Sequence, residues 1–281
     1  MAIYVNGRDQ ERHYDPFEDL DAILTLLGTT NTFFWPFLES TGIDVQSYGE
    51  EDAPLISGEA GTNVELNDPA TGWAPFKHLG GVHSYHFEGA DDQHLHGGDA
   101  AKLSFNGTTD AAFSVGCFFY AEAATGTLIS KYDAAGTARE WRLHLLAGPD
   151  LGLELFQDII LDSETAQTTT ALSLRQWYSG VITYGGAGGD GGGGAEKQAA
   201  NDMIIYIDGV AVTATVSEVG GAYVDMVGGA TGVMIGANDD NAAPANEFTG
   251  RMGLPILCGK QMSAVNVAEY HARGKRLLGL D

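Results

Sequence analysis

The sequence has few cysteines and lacks a long hydrophobic run. Its two cysteines, Cys117 and Cys258, cannot build a disulfide framework. Each lies in an apolar, strand-like run, so we expect buried free thiols. No stretch reaches the roughly 18 uninterrupted apolar residues of a membrane-spanning helix. The first residues have neither the basic start nor the apolar core of a secretory signal, so we expect synthesis in the cytoplasm and exit, if any, by lysis or assembly.

Basic residues are also scarce. The chain has 14 lysines and arginines against 38 acidic residues, which gives a formal net charge of −24. A field of this sign repels phosphate backbones and anionic membranes, and no local basic patch offsets it. We therefore predict no nucleic-acid partner and no membrane insertion. The acidity fits a protein kept soluble in high salt or on a crowded particle.

The N-terminal part of the chain predicts one helix followed by an irregular arm. Asp15 can cap a helix whose apolar residues recur at helical spacing up to Gly28, which ends it. Residues 33–38 are aromatic and broken by a proline. Residues 39–75 are polar and rich in turn-forming residues, and they predict an extended arm with few strands. We assign residues 1–75 to this helix and arm, and residues 76–281 to a second domain.

The second domain has the sequence pattern of an all-β protein, because short apolar runs alternate with turn residues. Asp208-Gly209 is the strongest hairpin signal, and Ser263 can cap a final helix. The glycine-rich residues 185–194 predict a loop. Predicted strands lie near 84–88, 101–105, 111–120, 126–131, 140–147, 151–157, 177–184, 203–208, 210–215, 231–236 and 248–258.

Several short sequence motifs of this domain occur in the order that one family of β-sandwich proteins has. They lie at residues 85–95, 113–118, 128–131, 176–184, 205–210, 233–237, 248–253 and 262–263. Together they resemble the laminin-G-like jelly rolls of the concanavalin A-like lectin-glucanase family. The resemblance implies an all-β, two-sheet antiparallel jelly-roll sandwich, here with an N-terminal helix and a C-terminal helix. Laminin-G-like jelly rolls are often displayed on phage heads and tails, so the resemblance also implies a virion member.

The family's calcium site is altered in this sequence. Members that bind structural calcium commonly use a carboxylate in the closing strand, where this chain has Gly253 and Leu254. Asp91 and Asp92 are the candidate metal ligands, since carboxylate oxygens suit calcium. We expect weak or absent dependence on calcium and no other cofactor.

Catalytic residues are not predicted. Related sandwiches that cleave glycans carry alternating carboxylates on one strand, whereas Glu154 stands alone in its strand and is expected to face solvent. We therefore predict that the protein is not an enzyme. A histidine cluster is open to two interpretations, a metal site or ordinary surface and loop residues; it comprises His78, His83, His86, His94 and His96.

Sugar binding would need exposed aromatic platforms and planar polar groups on loops. Trp141 and Trp177 lie in apolar strand patterns and are expected in the core. Tyr48 is one exposed candidate. The ligand-binding candidates we select are Trp73, Tyr223, Asn238, Asp239 and Asp240, although an ordinary solvated turn also explains the last three.

These observations predict a non-catalytic structural or surface protein of a phage particle, as a head decoration or tail component with glycan adhesion. The alternative is a glycan-binding lectin module that is not part of a virion. The expected partners are other virion subunits or further copies of the chain, and cell-surface glycans. The helix at 15–27 and the aromatic run 33–38 carry much apolar surface, and we expect another subunit to cover part of it.

Overall fold

The computed structural model describes the chain except for residues 1–2, 6–7, 11–14, 49–53, 60–61, 64–65, 67–74, 79, 107–109, 135–137, 158–161, 189–197, 221–222, 240–242 and 281. The strands are β1 (Ile3–Val5), β2 (Arg8–Gln10), β3 (Thr32–Phe34), β4 (Asp44–Val45), β5 (Leu55–Glu59), β6 (Thr62–Asn63), β7 (Pro75–Lys77), β8 (His83–Phe87), β9 (His94–His96), β10 (Phe113–Ala121), β11 (Gly126–Tyr132), β12 (Arg139–Leu146), β13 (Asp150–Phe156), β14 (Ser163–Thr168), β15 (Trp177–Tyr184), β16 (Met203–Ile207), β17 (Val210–Val212), β18 (Ala214–Val219), β19 (Met234–Ile235), β20 (Asn238–Asp239), β21 (Pro244–Ala245) and β22 (Gly250–Cys258). The helices are α1 (Pro16–Leu27), α2 (Gln198–Asn201) and α3 (Ala264–Leu278), with 3₁₀ turns at Gly89–Asp91 and Ala101–Leu103.

Two antiparallel sheets form the body of the protein. The first sheet has the order β17-β16-β15-β10-β22-β8-β7, with β3 also paired to β22. The second sheet has the order β18-β14-β13-β12-β11-β19-β9-β5-β4, with β6 paired to β5. A large apolar cluster drawn from both sheets lies between them. The predicted two-sheet antiparallel sandwich is therefore confirmed.

The alternation of side chains along β10 explains why the first sheet has two buried faces. Phe113, Val115, Cys117 and Phe119 point into the cluster between the sheets. Phe118, one residue out of phase, points to the opposite face and packs with the helices. Successive residues of a strand face opposite sides, so a strand that is apolar on both faces must be covered on both. The molecule therefore has three layers: helices, first sheet and second sheet.

Both cysteines are buried free thiols, as the sequence predicted. Cys117 lies between the sheets and Cys258 lies under the helices. Burial raises the pKa of both thiols, that of Cys258 to about 11. The thiolate is the reactive form of cysteine, so these side chains serve as small apolar groups.

The helix layer is covered within the chain. Asp15 caps α1 by accepting a hydrogen bond from the backbone of Phe17, and Gly28 ends the helix. The buried face of α1 packs with α3 in one cluster over the first sheet. Asp19 joins the two helices, since its carboxylate accepts hydrogen bonds from Arg273 and Arg276. Most of the apolar face of α1 is therefore covered within the chain, while Phe17 stays 56% exposed; a contribution from another subunit stays a prediction.

Strands before residue 60 belong to the sandwich: β3 lies at the aromatic run, and β4 and β5 lie in the stretch 39–75, where the sequence predicted an extended arm with few strands. Strand β3 pairs with β22 of the first sheet, while β4 and β5 extend the second sheet beyond β9. Val45, Leu55 and Leu66 are fully or almost fully buried in the core between the sheets. Their isolated apolar positions in a polar stretch are too few to give a periodic pattern, and the signal for strands comes from the partner strands.

Two further strand predictions need correction. The residues at 101–105, expected as a strand, begin with a 3₁₀ turn at Ala101–Leu103. Strand β14 was not predicted, because all of its residues except Ala166 are polar. Its register explains the strand: Ala166 faces the core opposite Leu153, and both backbone edges are paired, with β13 and with β18.

We expect Gly274→Ala to destabilise the protein, although alanine favours helix formation by about 1 kcal/mol over glycine. Gly274 lies where α3 approaches the first sheet, and an added Cβ would overlap the ring of Phe118. The helix would have to move away, at an expected cost of about 1–3 kcal/mol in the free energy of unfolding. Urea denaturation of this variant, with the exposed Val265→Ala as control, measures the effect. Stability equal to or above that of the wild type would contradict it.

Candidate functional site

A cleft lined by described residues lies beside the helix layer. Its volume is about 340 Å³, and it opens between the C-terminal half of α3, the start of β15 and the turn that joins β16 to β17. The lining residues are Phe118, Gln176, Trp177, Tyr178, Ser179, Asp208, His271, Lys275 and Leu280. We call it the Trp177 cleft. Aromatic, hydroxyl, amide, carboxylate, imidazole and ammonium groups meet there.

The turn between β16 and β17 places a carboxylate at the cleft. Asp208 and Gly209 both have positive φ, 51° and 77°, which suits the two-residue hairpin that the sequence predicted. The Asp208 carboxylate accepts a hydrogen bond of 2.9 Å from the backbone N–H of Ser179. Its side chain is still 42% exposed, so the hairpin fixes the carboxylate and leaves part of it open to a ligand.

His271 completes a polar wall with Ser179 and Asp208. Its Nδ1 lies 2.7 Å from the Ser179 hydroxyl and 3.9 Å from Oδ1 of Asp208. A catalytic serine, histidine and aspartate need the serine and the carboxylate on different ring nitrogens. Here both face the same nitrogen, and Ser179 is almost fully buried. The arrangement suits hydrogen bonding to a ligand rather than nucleophilic attack.

Trp177 lies on the outer face of the first sheet, where the sequence predicted a core residue. The indole is half-buried, with its centroid 5.9 Å from the ring of Tyr120 and 6.2 Å from that of His78. Burial lowers the pKa of His78, which favours a neutral ring beside the indole. Trp141, by contrast, is fully buried between the sheets as expected. Its exposure could have been predicted from its position, because Trp177 is the first residue of its strand and follows a polar stretch.

The polar ligand-binding candidates Asn238 and Asp239 form hydrogen bonds within the protein. Asn238 is fully buried, and its side-chain oxygen accepts hydrogen bonds from Thr127 and Asn246. Asp239 is partly exposed, and its backbone carbonyl accepts a hydrogen bond from the N–H of Ala134. Asn238 is therefore a structural residue, and the prediction that its side chain is available to a ligand is wrong.

Two of the remaining candidates are held by contacts within the protein, and two lie outside the described residues. Tyr223 is 1% exposed, and its hydroxyl donates a hydrogen bond to the buried carboxylate of Asp110. The prediction of an exposed platform at Tyr223 is therefore wrong. Tyr48 packs its ring edge-on against Phe34 and donates to Asp21. Trp73 and Asp240 lie outside the described residues.

The candidate metal ligands Asp91 and Asp92 are not part of a larger cluster of metal-binding side chains among the described residues. Asp91 is exposed, and Asp92 follows it in the left-handed conformation, with φ 55°. The described residues contain no group of three or more histidine, cysteine or acidic side chains that could hold a metal. The rings of His94 and His96 lie 5.4 Å apart on β9, and burial lowers the pKa of both. Asp91 and Asp92 stay the candidate ligands, and weak or absent dependence on calcium stays the prediction.

Two carboxylates on the neighbouring strands β13 and β14 point to opposite faces of the second sheet. Glu164 pairs with the core residue Leu155 and accepts a hydrogen bond from the N–H of Ala200. Glu154 points outward, but its side chain is only 12% exposed because Arg142 and Ser163 hydrogen bond to it. Glu154 therefore lies on the outer face of the second sheet, as expected, but its two partners cover most of its side chain. This pair cannot flank one glycosidic bond.

Solved structures show what this fold is similar to. The binding domain of botulinum neurotoxin serotype G superposes with a TM-score of 0.54 at 10% identity, over 88% of this chain and 51% of that one. The binding domain of botulinum neurotoxin DC in complex with SialylT gives 0.51 at 9% identity, over 84% and 52%. The binding domain of Paraclostridial Mosquitocidal Protein 1 gives 0.50 at 9% identity, over 83% and 52%.

These likenesses establish the fold as a concanavalin A-like jelly roll. The chain spans about half the length of the three binding domains. No protein-family model and no curated protein matches the sequence. None of the helices in the described part of the chain is long and apolar enough to cross a membrane.

Proposed function

We propose that this chain is a non-catalytic carbohydrate-binding domain and that the Trp177 cleft is its sugar site. The observation that carries the proposal is the placement of a half-buried indole beside a fixed, partly exposed carboxylate in one cleft. The apolar C–H face of a pyranose ring can stack on the indole, which provides a large apolar surface. Its hydroxyls would then donate to Asp208 and exchange hydrogen bonds with Gln176.

The charge of the protein supports a neutral sugar as the ligand. A net charge of −24 repels polyanionic glycans at long range, and the cleft itself combines the carboxylate of Asp208 with the ammonium of Lys275. One similar structure is a neurotoxin binding domain in complex with SialylT. Fold similarity at 9% identity does not transfer that ligand, so our proposal rests on the residues of the cleft.

Binding without cleavage is the second part of the proposal. Glycoside hydrolysis uses two carboxyl groups that flank the scissile bond. The Trp177 cleft has one carboxylate, Asp208, among its lining residues. A screen on polymeric glucans and galactans should detect no turnover above that of an Asp208→Asn variant.

We expect Trp177→Ala to weaken sugar binding by at least about tenfold, because it removes the stacking surface of the site. A glycan array with the wild-type protein identifies the best ligand, and titration calorimetry measures its affinity for each variant. Phe17→Ala is the matched control, since Phe17 is an exposed aromatic residue on α1. It should bind like the wild type. Unchanged affinity in Trp177→Ala, or no binding by the wild type to any glycan, would contradict the proposal.

A place on a virus particle, as a head decoration or tail component, is a second proposal that derives from the sequence. The acidic composition and the order of the jelly-roll sequence motifs support a place on a virus particle. Exposed apolar side chains on the edge strands also favour a repeated assembly; they include Val210, 66% exposed on β17, and Val219 on β18. Light scattering over a range of protein concentrations should detect oligomers. A monomer at every concentration would contradict the assembly proposal and leave the sugar site untouched.

A further inference from the structure

A buried lysine lies between two carboxylates at one end of the sandwich. The ammonium of Lys131, on β11, lies 2.6 Å from Oε1 of Glu140 and 3.1 Å from Oδ1 of Asp99. It also donates to the carbonyl of Gly229 at 3.0 Å. The side chains of Lys131 and Glu140 have no exposed surface, whereas that of Asp99 is 40% exposed. The lysine is thus held against a carboxyl group that belongs to a different segment of the chain.

The surroundings of Lys131 are those of the protein core. Lys131 is the register partner of Trp141, which is fully buried between the sheets. Charged groups are costly to bury even as pairs, because their attraction has to offset the loss of hydration. A reaction that converts the ammonium and one carboxylate into a neutral amide would remove that cost.

Glu140 is arranged to carry a proton. Its Oε1 accepts hydrogen bonds from Lys131, from the Ser104 hydroxyl and from the N–H of Gly229. Its Oε2 is buried without a hydrogen-bond partner among the described residues. Burial raises the pKa of Glu140, and the neighbouring Lys131 offsets part of this shift. A buried carboxyl group with one unpartnered oxygen can accept a proton from Lys131 more readily than an exposed carboxyl group can.

We propose that Lys131 and Asp99 condense into an intramolecular isopeptide bond, with Glu140 as the proton carrier. The cross-link would join the segment after β9 to β11. It is independent of the sugar site, because none of its residues lines the Trp177 cleft.

The reaction balances without a co-reactant. Lys131 passes a proton to Glu140, and the neutral Nζ attacks Cγ of Asp99 while the proton of Glu140 stabilises the developing oxyanion. The C–N bond forms, one carboxyl oxygen leaves with two protons as water, and Glu140 returns to its starting state. The overall change converts one ammonium and one carboxylate into one amide and one water. Fixed placement of the two groups replaces a bimolecular encounter and so supplies a high effective concentration.

Intact-mass measurement of the purified full chain tests the proposal. We expect a mass lower than that of the unlinked chain by one water molecule. Trypsin should then fail to cut after Lys131, and it should yield residues 78–102 covalently joined to residues 103–139, since the intervening cleavage sites are Lys102 and Lys131. Tandem mass spectrometry of this product should place the bond between Asp99 and Lys131.

Asp99→Ala is the decisive variant, because Asp99 is partly exposed and its replacement should leave the fold intact. It should have the full mass for its sequence and be cut after Lys131. Asp91→Ala removes another exposed acid of the same region and should keep the water loss. A wild-type chain of full mass, or a water loss that maps to other residues or persists in Asp99→Ala, would overturn the proposal.

Discussion

Replacing Asp110 by alanine is expected to lower the free energy of unfolding by about 3–5 kcal/mol, because the change leaves several buried donors without an acceptor. Oδ2 of Asp110 accepts hydrogen bonds from the hydroxyls of Tyr184 and Tyr223, at 2.7 and 2.6 Å. Oδ1 accepts one from the N–H of Met226 at 2.6 Å. The carboxylate therefore ties the end of β15 to the segment at 223–226, and urea denaturation measures what that tie contributes.

The control for this prediction is Asp91→Ala, which removes a carboxylate from an exposed 3₁₀ turn. We expect it to change stability by less than about 0.5 kcal/mol. The loss of stability in Asp110→Asn should lie between those of the two alanine variants, since an amide keeps the shape of the carboxylate and one acceptor oxygen. A loss below about 1 kcal/mol in Asp110→Ala would show that the three donors find other partners and would contradict the role we assign to Asp110.

Acid is expected to destabilise the protein through His144. Burial, with a smaller contribution from the nearby Arg142, lowers the pKa of His144 to about 3 from an ordinary value of 6.5. Nε2 of His144 is buried and lies 3.8 Å from Oε2 of Glu154, beyond hydrogen-bond distance. That oxygen already accepts from Arg142. A protonated His144 would thus be a buried cation without a hydrogen-bonded anion.

The direction of the pH dependence follows from this lowered pKa. Between pH 6.5 and about 3 the unfolded chain binds a proton at His144 that the folded chain does not. The contribution of His144 to stability is therefore complete above pH 6.5 and decreases as the pH falls through this window. Between pH 7 and pH 4 the expected loss from this residue is about 3 kcal/mol.

A comparison of the wild type with His144→Gln isolates the effect. Urea denaturation of both proteins at pH 7, 5.5 and 4 should give a curve for the variant that is flatter by about 3 kcal/mol across the range. His94 and His96 also have lowered pKa values, and Asp110 and Glu140 have raised ones, but these groups act equally in both proteins. Parallel curves for the two proteins would contradict the role of His144.

Much of the fold could be predicted because its signals are local. The Asp15 cap and Gly28 bound α1, and Asp208-Gly209 forms the hairpin turn. Strands such as β10 and β15 are visible from their own apolar and β-branched residues. Strand β14 was missed because its residues are mostly polar, and it owes its conformation to pairing on both sides.

The candidate site was predicted less well for a physical reason. Exposure at an aromatic residue depends on which face of a strand it occupies and on what covers that face. Tyr223 was expected to be exposed but is buried, because its hydroxyl donates to the buried carboxylate of Asp110. Trp177 was expected in the core but is half-buried, because it lies at the margin of the helix layer. Neither fact is a property of the neighbouring residues in sequence.

The sequence by itself determined the class of the molecule: an acidic, all-β antiparallel sandwich with a helix near each end and two buried free thiols. Turn chemistry, helix caps and the alternation of apolar residues act over a few positions, so they can be predicted from the chain alone. Only the tertiary structure decided that strands before residue 60 complete both sheets. It also brought Trp177, Asp208 and His271 to one cleft, and set Lys131 against Asp99. These groups meet because separate strands and helices pack together, and contacts between distant residues leave no local pattern from which they could be predicted.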